Sequence, residues 1–134
     1  MISSRKILQS RYSQHTNLKA KDLAITSIDE YFLNQVEVIL EKYLSEPEFN
    51  AAKFSKLMLM SRMQLHRKLI ALTGLSTTNF IRSQRLKRAL SLLLKSDYTI
   101  SEIAYQVGFN TPSYFIKCFK KSYGHTPNDY ISRM

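Results

Sequence analysis

Residues 99–130 read TISEIAYQVGFNTPSYFIKCFKKSYGHTPNDY and contain the start and stop signals of successive helices. Thr99, followed three residues later by Glu102, forms a capping box that marks the start of a short helix. Thr111 and Pro112 supply an N-cap and a proline at the first helical position, so a longer helix begins there. One glycine separates the two helices and another ends the second. The stretch therefore predicts a helix-turn-helix unit.

A weaker copy of this unit lies earlier in the chain. Residues 54–61 match residues 103–110 at an offset of 49, and the apolar positions and glycine of residues 65–81 match those of residues 115–131 at an offset of 50. We expect the one-residue difference to fall in the turn. Each copy predicts a short helix, a turn, a longer helix and a glycine stop, and a further long helix over about residues 77–95 separates them.

The chain is predicted to be all-α, with about seven helices that form two helix-turn-helix subdomains joined by a long linker helix. Residues 1–26 are polar and basic without a sustained apolar period, so we expect a linker or N-terminal arm there. Residues 27–134 form the predicted domain. Its first unit covers about residues 27–75, and its second unit covers about residues 99–134.

Two local patterns predict a helix cap and a buried helix face. Ser27 and Glu30 form another capping box, which predicts that Ser27 caps the first long helix. The linker helix has an apolar stripe that we expect to be buried against both units. Its principal residues are Leu86, Leu90, Leu93 and Leu94.

The charge of the chain indicates a polyanionic partner. Its 134 residues include 20 Lys plus Arg and 10 Asp plus Glu, a net charge of +10. No acidic residue occurs between Phe49 and Ser96, whereas ten basic residues do. A solvated helical surface usually mixes both signs, so this run favours a surface that faces phosphates. Nucleic acid is the first candidate partner and an anionic membrane surface is the second.

The residue inventory argues against an enzyme. His15, His66 and His125 have no Cys or acidic residue at ligand spacing, so neither a metal nor a cofactor is expected. Cys118 lies between apolar helical residues, which predicts a buried, inert thiol. Three glycines leave no phosphate-binding loop, and no apolar stretch is long enough for a transmembrane helix or signal peptide. A single cysteine fits the reducing cytoplasm.

The longer helix of each unit carries the candidate recognition residues. Leucines at helical spacing predict the buried face of the first one. The residues on its opposite face, near the helix start, are Arg62, Met63, His66 and Arg67. Arginine bonds bidentately to guanine and histidine donates to acceptors in the major groove, so these residues would read bases. Met63 would either touch a thymine methyl group or pack on the preceding helix. Comparable residues of the second unit are Ser113, Ile116, Lys117 and Lys120.

Other basic residues would contact the DNA backbone and supply affinity that does not depend on sequence. They are Lys53, Arg82, Arg85, Lys87 and Arg88, with Lys120 and Lys121 in the second unit. The predicted function is sequence-specific binding of double-stranded DNA, with recognition helices over about residues 62–73 and 112–123 in successive major grooves. The alternative is a basic helical protein-interaction module that docks an acidic partner, and a membrane-surface binder is the third class.

The second unit resembles the signature region of the AraC/XylS family of bacterial transcription regulators. The stretches LMSRMQLHRKLIALTG and FIRSQRLKRALSLLLKSDYTISEIA are similar to the rest of that domain, and the match covers about residues 29–134. The resemblance implies seven helices, promoter DNA and RNA polymerase as partners, and a role as a transcription regulator. It also implies the base-reading set Arg62, Met63, His66 and Arg67, with Ser113 and Lys117 in the second unit.

The preceding stretch ITSIDEYFLNQVEVIL resembles the C-terminal part of hybrid two-component sensors and response regulators. We therefore expect an output domain that lacks the sensing portion of its family. One chain contains two recognition helices, so we expect this fragment to be monomeric, with any dimerisation of the full-length protein left to upstream domains. One departure from the family is Leu59, which occupies the place of a turn glycine. We expect the first turn to be more open than the second for this reason.

Overall fold

The structure is a computed structural model and describes residues 26–133. This part of the chain contains seven α-helices and no strand, which confirms the all-α prediction. In chain order the helices are α1 (Ser27–Tyr43), α2 (Ala51–Leu57), α3 (Arg62–Thr73), α4 (Thr77–Lys95), α5 (Ile100–Gln106), α6 (Pro112–Tyr123) and α7 (Pro127–Ser132). The predicted arm lies outside the described residues, apart from Thr26.

The described chain divides into two units that are interleaved in sequence. The first unit contains residues 26–43 and 49–83, and the second contains residues 44–48 and 84–133. The first unit therefore includes the α2–α3 pair and the second includes the α5–α6 pair. Helix α4 begins in the first unit and ends in the second.

The core of the first unit is built from aromatic and leucine side chains. Phe54 of α2 is fully buried, and its ring centre lies 6.5 Å from that of Phe80 at the start of α4. Leu65, Leu69 and Leu72 of α3 are also fully buried, as their helical spacing predicts. Burying one such leucine contributes about 1.5–3 kcal/mol relative to leaving it exposed. Helix α3 is thus held along one face, and its opposite face is left to solvent.

The start of α1 differs from the prediction. Thr26 rather than Ser27 caps the helix, because its Oγ1 accepts a hydrogen bond from Asp29 N at 3.1 Å. The Thr26 carbonyl accepts the hydrogen bond of Glu30 N at 2.9 Å. This cap places the Asp29 carboxylate in the first turn, where it is buried and forms an ion pair with Lys68 at 2.8 Å. The predicted cap is wrong by one residue, since Thr26 offers the same hydroxyl chemistry as Ser27.

The core of the second unit joins the end of α4 to α5 and α6. Its buried residues are Leu86, Ala89, Leu93, Ile103, Ala104, Val107, Phe109, Phe115, Cys118 and Phe119. Leu90 is only partly buried and Leu94 is 48% exposed, so the expectation of a fully buried leucine stripe is wrong. The buried positions that α4 contributes to this core, Leu86, Ala89 and Leu93, are three and four residues apart, which defines a narrower stripe that excludes Leu94.

The two turns have the same backbone hydrogen bonds. In each unit the turn residue donates its N–H to a carbonyl three residues earlier, over 3.1 Å at Leu59 and 3.2 Å at Gly108. The next N–H donates to a carbonyl five residues earlier, over 3.0 Å in both units. The expectation of a more open first turn is wrong, because Leu59 itself adopts a positive φ of 58°. This left-handed conformation costs a non-glycine residue about 1–2 kcal/mol.

The positions of the helix caps show how the two units align and where the second unit has one residue more. Asn50 caps α2 and Thr99 caps α5, an offset of 49. Ser61 caps α3 and Thr111 caps α6, an offset of 50. The additional residue of the second unit, Asn110, therefore lies between the turn and the cap of α6.

Candidate nucleic-acid interface

The first turn of α3 is fixed by a reciprocal cap. Ser61 Oγ accepts a hydrogen bond from Gln64 N at 3.0 Å, and Gln64 Oε1 accepts one from Ser61 N at 2.9 Å. Two of the backbone donors at the helix start are thereby satisfied within the protein. The four predicted base-reading residues of the first unit, all exposed, are Arg62, Met63, His66 and Arg67. They project from a helix whose opposite face is buried in the core.

Helix α6 has a different cap and a different exposed face. Thr111 Oγ1 accepts a hydrogen bond from Tyr114 N at 3.2 Å, and Pro112 occupies the first turn. The proline fixes the backbone for helix entry without removing a needed donor. Ser113 and Lys117, the predicted base-reading residues of this unit, are both exposed.

Two residues of α6 differ from the expectation. Ile116 does not lie on the outward face, because it is partly buried and packs against the core of the second unit. Burial of an isoleucine side chain is favourable, which explains this orientation. Tyr114, which was not predicted for the site, is 47% exposed near the helix start. The repeat gave no signal for it, because its counterpart at the offset of 50 is Gln64, whose side chain belongs to the cap of α3.

All seven residues predicted to contact phosphate are exposed or partly buried. They are Lys53, Arg82, Arg85, Lys87, Arg88, Lys120 and Lys121. Arg82 Nη1 donates a hydrogen bond to Asn79 Oδ1 at 2.7 Å, and Lys53 Nζ lies 5.7 Å from the centre of the Tyr43 ring. These two contacts order the cations without neutralising them, because neither neighbouring group carries a charge.

Arg85 has a different role from the predicted phosphate contact. Its Nε donates a hydrogen bond to Leu44 O at 3.0 Å, and its Nη2 donates one to Glu46 O at 2.9 Å. Burial lowers the pKa of this guanidinium from its ordinary value. The two carbonyls follow the end of α1, where unpaired acceptors accumulate. Arg85 therefore fixes this segment within the second unit, which argues against the predicted phosphate contact.

Within residues 26–133, no group of three or more His, Cys, Asp or Glu side chains is arranged to hold a metal ion. The same residues include no helix with the length and apolar character needed to cross a membrane. Cys118 is buried, as its position between apolar residues predicted.

The fold and the exposed start of α3 define a helix-turn-helix protein of the type found in transcription regulators. Residues 54–133 match the family described as "Helix-turn-helix domain", which covers more than half of the chain. The chain belongs to this family, in its AraC-type branch, and the resemblance noted from the sequence is confirmed. The family and fold are those of DNA-binding regulators, not of enzymes.

Individual relatives support the same assignment. Histidine kinase P4 of Formosa agariphila is 36% identical over 133 residues, which make up 99% of this chain and 10% of the kinase. The transcriptional activator RhaS of Salmonella schwarzengrund is 35% identical over 100 residues, 72% of this chain and 34% of RhaS. This chain therefore spans only a tenth to a third of the length of these relatives.

A solved structure shares the fold as well. The DNA-binding domain of AdpA, a global transcriptional factor solved in complex with a target DNA, superposes with a TM-score of 0.70. The two sequences are 29% identical, and the superposition covers 76% of this chain and 90% of the AdpA chain.

Proposed function

We propose that this chain binds double-stranded DNA sequence-specifically, as the output domain of a bacterial transcription regulator. The exposed start of α3 carries this proposal. Two arginines, a histidine and a methionine project there from a helix whose other face is buried and whose cap is already satisfied. A recognition helix reads base edges with its N-terminal residues, which supports base reading by the exposed side chains of α3.

The two recognition helices offer different chemistry to the bases. Arg62 and Arg67 have the planar donors that bond bidentately to guanine O6 and N7, and His66 adds a further donor. Helix α6 offers the hydroxyl of Ser113 and the ammonium group of Lys117 at its exposed face. A hydroxyl group bonds to several bases, and a lysine serves a guanine or a phosphate equally well. We therefore expect the α3 half of the site to be more selective than the α6 half.

The remaining cations would supply the affinity that is common to all duplexes. This set consists of Lys53, Arg82, Lys87, Arg88, Lys120 and Lys121. Each phosphate that is neutralised adds about 0.9 to the slope of log K against log salt. Binding of both specific and scrambled DNA should therefore weaken steeply with salt.

The wider setting is inferred from the relatives and the resemblance. Similarity to a histidine kinase that is about ten times longer supports a place in a two-component system. The domain would act in the cytoplasm on promoter DNA, with RNA polymerase as a further partner. Because the exposed residues of α3 and α6 differ, one monomer would bind a non-palindromic site in successive major grooves.

Arg67→Ala tests base reading, with Lys121→Ala as the matched control for phosphate contact. The specific duplex is one selected from random sequences, and the control duplex is its scrambled form. We expect Arg67→Ala to weaken specific binding by about 1–3 kcal/mol and to leave scrambled binding nearly unchanged. Lys121→Ala should weaken both equally, since phosphates are present in every sequence. Equal losses at Arg67 would assign it to a phosphate instead.

The same titrations address the protein-interaction and membrane alternatives. Preference for the selected duplex over its scrambled form and over heparin supports the DNA-binding proposal. Equal affinity for all polyanions would contradict it and favour a general acidic partner.

A further inference from the structure

Met63 is an apolar side chain in the middle of a polar recognition face. It lies in the first turn of α3 between Arg62 and the His66–Arg67 pair, and 61% of it is exposed to solvent. The helix turns Leu65 into the core, where that residue is fully buried. Met63 therefore projects with the cations and does not supply the packing that holds α3.

The structure distinguishes between the two roles that the sequence left open for Met63. Packing on the preceding helix would bury its side chain, which is instead mostly exposed. Most of the methionine side chain gains no burial in the free protein, and its flexible thioether adapts readily to an apolar partner surface. Its counterpart in the repeat is Ser113 of α6, which is exposed and has no apolar side chain.

The major groove contains one kind of apolar group at its base edges, the 5-methyl group of thymine. We propose that Met63 recognises a thymine by covering this methyl group, so that the α3 half-site contains a thymine beside the guanines read by arginine. The inference rests on the proposed DNA-binding function and specifies one base of its target. Cytosine and uracil lack the methyl group and would leave the methionine against a polar edge.

Replacement of single thymines by uracil in the selected duplex tests the inference, because this exchange removes only the methyl group. We expect one position in the α3 half-site to lose about fourfold in affinity, the value of one buried methyl group. The matched variant Met63→Ser carries the residue found at position 113 and should abolish this loss. Because Met63 is exposed, we expect Met63→Ser to retain the wild-type thermal melt.

The reciprocal variant Ser113→Met provides a gain-of-function test. When the variant is used to select its own site, a uracil-sensitive thymine should appear in the α6 half-site. Specific binding without any uracil-sensitive thymine, or a uracil effect that persists in Met63→Ser, would overturn the inference and leave the proposed function intact. Loss of all discrimination between duplexes would overturn the proposed function itself.

Discussion

The turn of the first unit has a leucine at its position of positive φ, whereas the equivalent turn of the second unit has a glycine. Both turns use the same backbone hydrogen bonds. Around Leu59 there is room for a side chain, which is 92% exposed. At Gly108 an added Cβ would lie 2.7 Å from Leu44 O and 2.8 Å from Arg85 Nε. The turn itself therefore tolerates a side chain, and the neighbouring segment held by Arg85 is what demands glycine.

Gly108→Ala tests this comparison with the largest expected effect. Its φ of 103° and the close backbone oxygen both oppose a side chain. We expect the free energy of unfolding to fall by about 3 kcal/mol, from backbone strain together with overpacking. Urea unfolding followed by circular dichroism measures this change.

Gly124→Ala is the matched control within the same unit. Its φ is 81°, but an added Cβ would meet no atom within 4 Å. Only the backbone strain remains, so we expect a loss of about 1 kcal/mol. Equal losses for the two variants would show that the Arg85 segment does not determine the need for glycine at Gly108.

Leu59→Gly makes the converse change, because it places a glycine in the turn of the first unit. Glycine relieves the strain at a φ of 58°, although it also increases the freedom of the unfolded chain. The net result should be a gain of about 0.5–1 kcal/mol in the free energy of unfolding. Leu59→Ala removes most of the side chain and keeps the strain, so its stability should stay close to that of the wild type. A destabilised Leu59→Gly would mean that the leucine side chain contributes to packing after all.

Tyr123 provides a difference that is absent at neutral pH and visible only in alkali. Burial, with a further contribution from Tyr130, raises the pKa of Tyr123 to about 12. The unfolded chain releases this phenolic proton near the ordinary pKa of about 10. The contribution of this group is therefore complete below pH 10 and is lost as the pH rises toward 12.

Tyr123→Phe should consequently lose less stability than the wild type between about pH 10 and 12, as measured by urea unfolding at several pH values. The equivalent position of the first unit is Thr73, which has no titratable side chain. Parallel stability curves for the two proteins would show that Tyr123 titrates at the same pH in the folded and unfolded chains.

Local sequence signals predicted much of this fold. The caps at Ser61, Thr99 and Thr111 were predictable because each depends on residues within one helical turn. The exposed face of α3 was predictable for the same reason, since three leucines at helical spacing fix the opposite face. The start of α1 was predicted one residue too late, because Thr26, next to Ser27, also has a hydroxyl group that can cap the helix.

Contacts between distant parts of the chain were not predictable. Arg85 lies in a basic run that indicates phosphate binding, but its partners are carbonyl groups 41 and 39 residues away. Ile116 has the spacing of an outward residue, yet the second-unit core reaches far enough to cover it. In both cases the surroundings are set by tertiary packing, on which helical periodicity gives no information.

The interleaving of the two units determines how the domain can be divided. A fragment that begins at residue 84 would retain α5, α6 and α7 but would lack residues 44–48 of the same unit. Arg85 would then have lost both carbonyl acceptors, and Gly108 the carbonyl oxygen that would lie closest to an added Cβ. A break at this point of α4 would thus leave the second unit incomplete, although the first unit would keep all of its residues. Gene fusions and recombination events that preserve this module must therefore carry it whole, although it contains two copies of one motif.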